Sequence, residues 1–420
     1  MIQVSQDLFR RGLGYKQISN VFKCLGIHSG QKAPSYSSVR LWIMRNGYSK
    51  LNEDIFENGT WVILGDVTVD IGKVKALVTV GVDLNKLEER AEYTISLEDL
   101  HIIGIHPTES STGEFAYKAF DEAKERLGET SLLAAFVIDQ GSDVTKGGKI
   151  LNEANEKVKF IHDLSHKLAL VLEKELEEDP MWDKYTSQLT TTGQLVHQTE
   201  LAALKPPKLR SKARFMNVAR YVAWQDKISR NKEAGNFDSI PEDRYEQYFG
   251  WLSKFEPSLN IWIPKIGLVE RIKEIIRTHG LSEMTYDYLL EDIAQMPLEK
   301  DLTPFVEAVF DAVYEEVDKL DDGQTLPAFT ESLESLFGSY KYHASQGGHG
   351  ITGNILTLGT LVGKPQTAEE IQKVMEKTPV KKVHEWIKEK VGETVGSLRL
   401  KFFKKQRTKF DNPPMGVPVG

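Results

Sequence analysis

Three acidic residues stand where the surrounding pattern makes a carboxylate expensive or exposed to use. Asp66 lies inside the apolar run Trp61-Val-Ile-Leu-Gly-Asp66. A charge in such a strand is costly to bury unless it is paired or binds a cation. Asp139 follows the wholly apolar stretch Leu132–Ile138 and precedes Gln140 and Gly141. In open α/β sheets, ligands collect at the carboxyl ends of strands of this kind. Each residue also has a plain structural reading: a strand-edge residue for Asp66, a turn former for Asp139. Two acids on neighbouring strands repel, and their pKa values rise, unless a metal lies between them. Hard oxygen ligands suit Mg²⁺ or Mn²⁺. Two such ions activate a water or a 3′-hydroxyl and stabilise the leaving oxygen of a phosphodiester.

A third acid must come from elsewhere in the chain. Glu334 lies in Glu331-Ser-Leu-Glu334-Ser-Leu-Phe-Gly-Ser-Tyr-Lys341. On a helix, Glu334 and Lys341 share a face, which pairs a metal ligand with a phosphate contact. Glu331, one turn earlier, competes for the role, and a solvated acidic face is the ordinary alternative.

The elements that position these residues follow from hydrophobic periodicity. Thr60–Val69 and Lys73–Asp83 predict a β-hairpin turning at Asp70–Gly72. A further strand region falls in Ala91–Ile105, and Thr112–Leu127 is an amphipathic helix behind a Ser/Thr cap. Leu132–Ile138 predicts a strand buried on both faces. Helices at Val144–Glu156 and Leu164–Leu176 flank a short strand at Val158–Ile161. The order is β-β-β-α-β-α-β-α. Upstream, residues 1–50 hold three short helical segments, the last capped by Ser35 and carrying Ser37, Ser38, Arg40 and Arg45. That arrangement resembles a helix-turn-helix, whose polar, basic last helix is expected to contact DNA. Between residues 177 and 326 helical periodicity dominates, with Trp182, Trp224, Trp251 and Trp262 expected mainly in its core. Residues 327–410 add another helix, a glycine-rich turn and charged helices, and 411–420 form a Pro/Gly-rich tail expected to be disordered.

Bulk properties bound the rest. The chain has 420 residues, enough for two or three domains. The single Cys24 excludes an internal disulfide framework and a Cys-based zinc finger. No apolar run approaches the roughly 18 residues needed to span a bilayer, and the first residues do not read as a signal peptide. A cytoplasmic location is expected from the lone cysteine. Net charge is −8, which argues on its face against nucleic acid. Basic residues nevertheless cluster locally, at Lys208, Arg210, Lys212 and Arg214 and again near the C-terminus, and local patches decide binding to a polyanion. Gly147-Gly148-Lys149 is not a phosphate-binding P-loop, because Asp143 stands where the motif needs glycine. His162 and His166 are spaced for one zinc ion but lack a third ligand of fitting spacing.

Taken together, these motifs resemble the DDE transposases whose RNase H-like core is interrupted by a helical insertion, as in the Mutator and hAT groups and many bacterial insertion-sequence enzymes. Trp61–Asp66 with its hairpin partner looks like that family's first-Asp hairpin, and Ala135-Phe-Val-Ile-Asp139 like its second-Asp strand. Ile161-His-Asp163-Leu-Ser-His166 is similar to the C/D-x-x-H signature, and Glu334–Lys341 to the helix of the final Glu. The resemblance covers residues 60–345. It implies an α/β fold: an RNase H-like, mixed five-stranded sheet flanked by helices, with an N-terminal helix-turn-helix and a large all-helical insertion. It implies core segments at 60–176 and 327–410 around an insertion at 177–326. Asp66, Asp139 and Glu334 would hold two Mg²⁺ or Mn²⁺ ions, with Asp163, His166 and Lys341 nearby. The implied partners are DNA (terminal inverted repeats and target) and further copies of the chain, in at least a dimer, with no membrane. A non-catalytic DNA-binding relative and an RNase H-like nuclease are the competing expectations.

Overall fold

The structure, a computed structural model, describes residues 1–29, 32–54, 56, 58–69, 74–154, 158–209, 218–237, 240–295, 302–345, 351–393, 398 and 400–403. The expected turn at Asp70–Gly72 and the tail at 411–420 lie outside the described residues. The chain forms two compact units. The first comprises Met1–Arg90, Thr94–Ile161 and the chain from Thr330 onward; the second comprises Ala91–Tyr93 and His162–Phe329.

The first unit begins with α1 (Ile2–Arg10), α2 (Tyr15–Ser29) and α3 (Tyr36–Leu51). Then come β1 (Thr60–Val69), β2 (Lys75–Asp83), the short α4 (Leu84–Glu88), β3 (His101–Thr108), α5 (Gly113–Arg126), β4 (Leu132–Ile138), α6 (Ser142–Ala154) and β5 (Phe160–His162). The second unit contains α7 (Leu164–Glu177), α8 (Pro180–Val196), α9 (Val218–Glu233), α10 (Glu242–Phe249), α11 (Glu256–His279), α12 (Glu283–Ala294) and α13 (Thr303–Val317). The chain then returns to the first unit with α14 (Glu331–Ser345), α15 (Thr357–Leu361), α16 (Ala368–Lys377) and α17 (Val380–Trp386).

The five strands make one mixed sheet in the order β3-β2-β1-β4-β5. β1 and β2 pair antiparallel, as their short connection requires, and β2 and β3 likewise. β4 returns beside β1 in parallel, after a crossover that includes α5. One sheet face presents Trp61, Ile63, Phe136 and Ile138 to Phe120, Ala116 and Val144 of α5 and α6. Those helices approach closely because Gly147 lacks a side chain: a Cβ there would lie 2.5 Å from Ala116 Cβ.

The predicted strand at Ala91–Ile105 is shorter than expected. Asp99 accepts hydrogen bonds from the backbone and hydroxyl of Ser96 and pairs with Arg90, which makes a turn, and the strand starts only at His101. On β3, burial pushes the His106 imidazole down to about 4, with Lys390 adding to the effect. Glu122 stands 3.6 Å away, but it is exposed to water and does not reverse the shift. Stability from this site is therefore complete above the ordinary value of 6.5 and drains away as pH falls towards 4. His106→Gln should flatten that loss by about 1–3 kcal/mol, read from urea unfolding at pH 7 and pH 4.

Helix α3 lies against α15, α16 and α17. Contact with α15 is close enough that a Cβ on Gly47 would sit 1.7 Å from the Leu356 carbonyl oxygen, and one on Gly359 2.6 Å from the Gly47 oxygen. Thr360 Oγ1 donates to the Ile43 carbonyl across the same seam at 2.7 Å. Backbone cannot yield as a flexible side chain does. Gly47→Ala is therefore expected to cost about 1–3 kcal/mol or more through overpacking, a drop in Tm that calorimetry would register.

The second unit is helical, with a single isolated bridge between Leu281 and Leu326 among its described residues. Its tryptophans are largely core, as expected: Trp182 and Trp262 are fully buried and meet edge to face with centroids 5.1 Å apart. Helix α7, which the sequence pattern groups with the sheet, belongs here, because its apolar face packs on α11 and α13.

Candidate functional site

The strand register brings two of the predicted acids side by side. Leu64 pairs with Val137 and Gly65 with Ile138, so the next residues along the parallel pair are Asp66 and Asp139. A Cβ on Gly65 would lie 3.0 Å from the Phe120 ring, so residue 65 faces α5. Alternation turns Asp66 to the opposite face with Val62 and Leu64. Both aspartates are half-buried. Asp66 Oδ1 accepts the Val67 N–H at 2.6 Å, and Asp139 Oδ1 accepts the Gly141 N–H at 3.0 Å. The Asp139 turn leads into α6, where Asp143 occupies the first helical turn. A Cβ on Gly141 would lie 3.0 Å from Asp139 Oδ1 and 3.2 Å from Asp143 Oδ1. Glycine at 141 therefore keeps the space between two carboxylates open, and Asp143 is a neighbour of Asp139 in space as well as in sequence.

Helix α14 packs against β1. The Thr330 carbonyl accepts from the Leu333 and Glu334 amides and starts the helix. Leu333, Leu336, Phe337 and Tyr340 form its buried stripe. Glu331 and Glu334 both sit in the first turn, Glu331 half-buried and Glu334 exposed. Lys341 is exposed on the same helix. Among the described residues, no three His, Cys, Asp or Glu side chains are gathered so as to hold a metal ion. The structure thus sets Asp66, inside β1, beside Asp139, just past the end of β4, places α14 against β1, and among the described residues does not bring Glu334 into a ligand set with them. Carboxylates brought to ligating distance repel one another without a cation between them. The donor chemistry of the aspartate pair suits a hard divalent ion.

Asp163 and His166 belong to the second unit. Asp163 is the N-cap of α7: its Oδ1 accepts from Ser165 N at 2.7 Å and His166 N at 3.3 Å, and its Oδ2 lies 3.1 Å from His166 Nδ1. Asp163 is buried, which fixes the imidazole while its far edge stays partly open to solvent.

Nearby in the same unit stands a group that the sequence reading passed over. Glu316, fully buried on α13, accepts from His162 N at 2.9 Å and Lys167 Nζ at 2.7 Å, and also pairs with Lys319 and the His162 ring. Burial alone would raise its pKa, but His162, Lys319 and Lys167 together hold it down at about 2. A signal was present: Glu316 falls three and seven residues after Val313 and Val309, on the buried stripe of the helix.

The predicted DNA contacts divide. Ser37 is exposed and Ser38 shares a hydrogen bond with the Ser35 cap. Arg40 Nε donates to Asn354 Oδ1 at 2.7 Å, while Arg45 donates to the carbonyls of Thr378 and Met375. These two arginines tie α3 to the chain after α14. Lys208 is exposed, and Arg210, Lys212 and Arg214 lie outside the described residues. No helix among the described residues is long and apolar enough to cross a membrane. No known family model matches the sequence, and no curated protein is similar to it.

Proposed function

We propose that the protein is a DDE-type DNA transposase that cuts DNA at transposon ends and joins the freed 3′-hydroxyl to target DNA. The observation that carries the reading is the β1/β4 register, which aligns Asp66 of β1 with Asp139, the residue that follows the parallel strand β4. The sheet order β3-β2-β1-β4-β5, with β2 antiparallel to its neighbours, supports an RNase H-like core. A helical unit between that sheet and α14 supports an interrupted one. Asp66 and Asp139 would hold divalent metal, with Glu334 or Glu331 of α14 joining them, and the metal would supply activation of the attacking oxygen and charge stabilisation at phosphorus. The chain's own contribution is to hold the two aspartates in register, and to keep Gly141 free of a side chain between Asp139 and Asp143. The test is incubation of the full chain with Mg²⁺ or Mn²⁺ and a labelled duplex ending in the inverted repeat that flanks its reading frame. Nicked ends and strand-transfer joints are the expected products.

The exposed position of Glu334, outside any metal-holding group among the described residues, favours a second reading: a non-catalytic DNA-binding relative. Duplex binding without metal-dependent products would establish it.

A further inference from the structure

Between Asp7 and Glu53 the chain carries eight Lys and Arg residues and no acid, although its net charge is −8. Four of those cations are spent inside the first unit. Arg10 donates to the carbonyls of Thr360, Val362 and Gly363, Lys50 to that of Val362, Arg40 to Asn354, and Arg45 to Thr378 and Met375. The other four, Arg11, Lys16, Lys23 and Lys32, are exposed. Lys16, Lys23 and Lys32 converge on one cleft of about 730 Å³ between α2 and the start of α3, with Asn20, Ser35 and Tyr36 also lining it and no acid among the lining residues. Buried Ser19 braces its floor, donating to the Pro34 carbonyl at 2.8 Å.

The geometry points to this cleft as a seat for the phosphate backbone of duplex DNA, contacted by Lys16, Lys23 and Lys32. The choice of DNA as the polyanion rests on the proposed function; the charge and placement of the cleft do not. Three lysines without an arginine fork act as point charges, which tolerate irregular phosphate positions and read no bases. The surface therefore grips DNA irrespective of sequence. It also shifts the DNA contact away from Arg40 and Arg45, whose donors hold the fold together.

Each phosphate contact releases condensed counterions, so three contacts steepen log K against log salt by about 2.7. Anisotropy titrations of the full chain with a random-sequence duplex read this directly. The Lys16→Gln/Lys23→Gln/Lys32→Gln variant should show a slope shallower by that amount and bind about 100-fold more weakly at 0.1 M salt. Lys373→Gln/Lys377→Gln/Lys381→Gln removes the same charge from exposed positions on α16 and α17 and should change the slope little. Equal slopes for the two triple variants would overturn the assignment, as would a wild-type chain that binds anionic vesicles or RNA but not duplex DNA. A second readout avoids substitution in the cleft altogether. Cys24, next to Lys23, is the chain's one cysteine and is exposed. An iron chelate tethered there should cut bound DNA by hydroxyl radicals, and intact DNA in a demonstrated complex also refutes the site. Neither measurement needs cleavage by the protein's own aspartate site. Absence of transposition products therefore leaves this inference standing, and loss of the salt effect leaves the aspartate chemistry standing.

Discussion

Asp139→Asn is expected to reduce metal-dependent DNA cleavage by about 1,000-fold or more while leaving duplex affinity within about twofold. The reduction is large because the carboxylate's charge, rather than its shape, is what a divalent ion requires, and charge stabilisation at the reacting phosphorus is the main catalytic contribution in such chemistry. Folding should survive. The asparagine carbonyl oxygen still accepts the Gly141 amide, which Asp139 Oδ1 accepts at 3.0 Å. Asp66→Asn should behave the same way, since an asparagine oxygen can still accept the Val67 amide that Asp66 Oδ1 accepts at 2.6 Å. Glu334→Gln and Glu331→Gln, compared in one assay, identify the third acid: the one that matches the aspartate variants is the ligand. Cleavage at the wild-type rate by Asp139→Asn would remove this residue from the mechanism. Normal binding in that variant would still be compatible with a DNA-binding protein that does no chemistry.

The second large effect concerns stability. Glu316→Ala should destabilise the helical unit by about 3–5 kcal/mol, because it strands buried Lys167 beside His162 and Lys319. Exposed Glu315, 2.7 Å from Lys167, softens the loss and places it near the lower end. Four of the seven tryptophans lie in this unit, so urea titration followed by fluorescence reports it. Replacing both partners, as Lys167→Met/Glu316→Leu, should recover most of the stability, because a well-packed apolar pair avoids the desolvation that a lone charge suffers. The pH dependence has a definite sign. Glu316 titrates at about 2 in the folded chain against an ordinary 4.5, so its contribution is complete above pH 4.5 and disappears as pH falls through about 2. That shift corresponds to about 3 kcal/mol, in line with the substitution. A Glu316→Ala chain as stable as the wild type at pH 7, with an unchanged acid limb, would show the cluster to be incidental.

Local pattern alone specified much of this protein. The seven apolar residues Leu132–Ile138 form β4 within those limits, and Thr112 caps α5 as its hydroxyl predicts. Apart from the short α4, which the pattern did not announce, the order of strands and helices from β1 through α7 follows from periods of 2 and 3.6, which neighbouring residues set between themselves. Tertiary structure decided the matters that depend on distant partners. Arg40 and Arg45 have the composition of a DNA-reading helix, yet their donors go to Asn354, Met375 and Thr378, some 300 residues away. Glu316 looks like one more acid in a charged stretch until α13 turns it onto His162 and Lys167. Asp66 and Asp139 are each ambiguous in sequence, and only the parallel pairing of β1 with β4 makes them neighbours. The physical reason is common to all three cases. Backbone periodicity is a short-range property, whereas the worth of a charge depends on the partners and solvent that folding places around it.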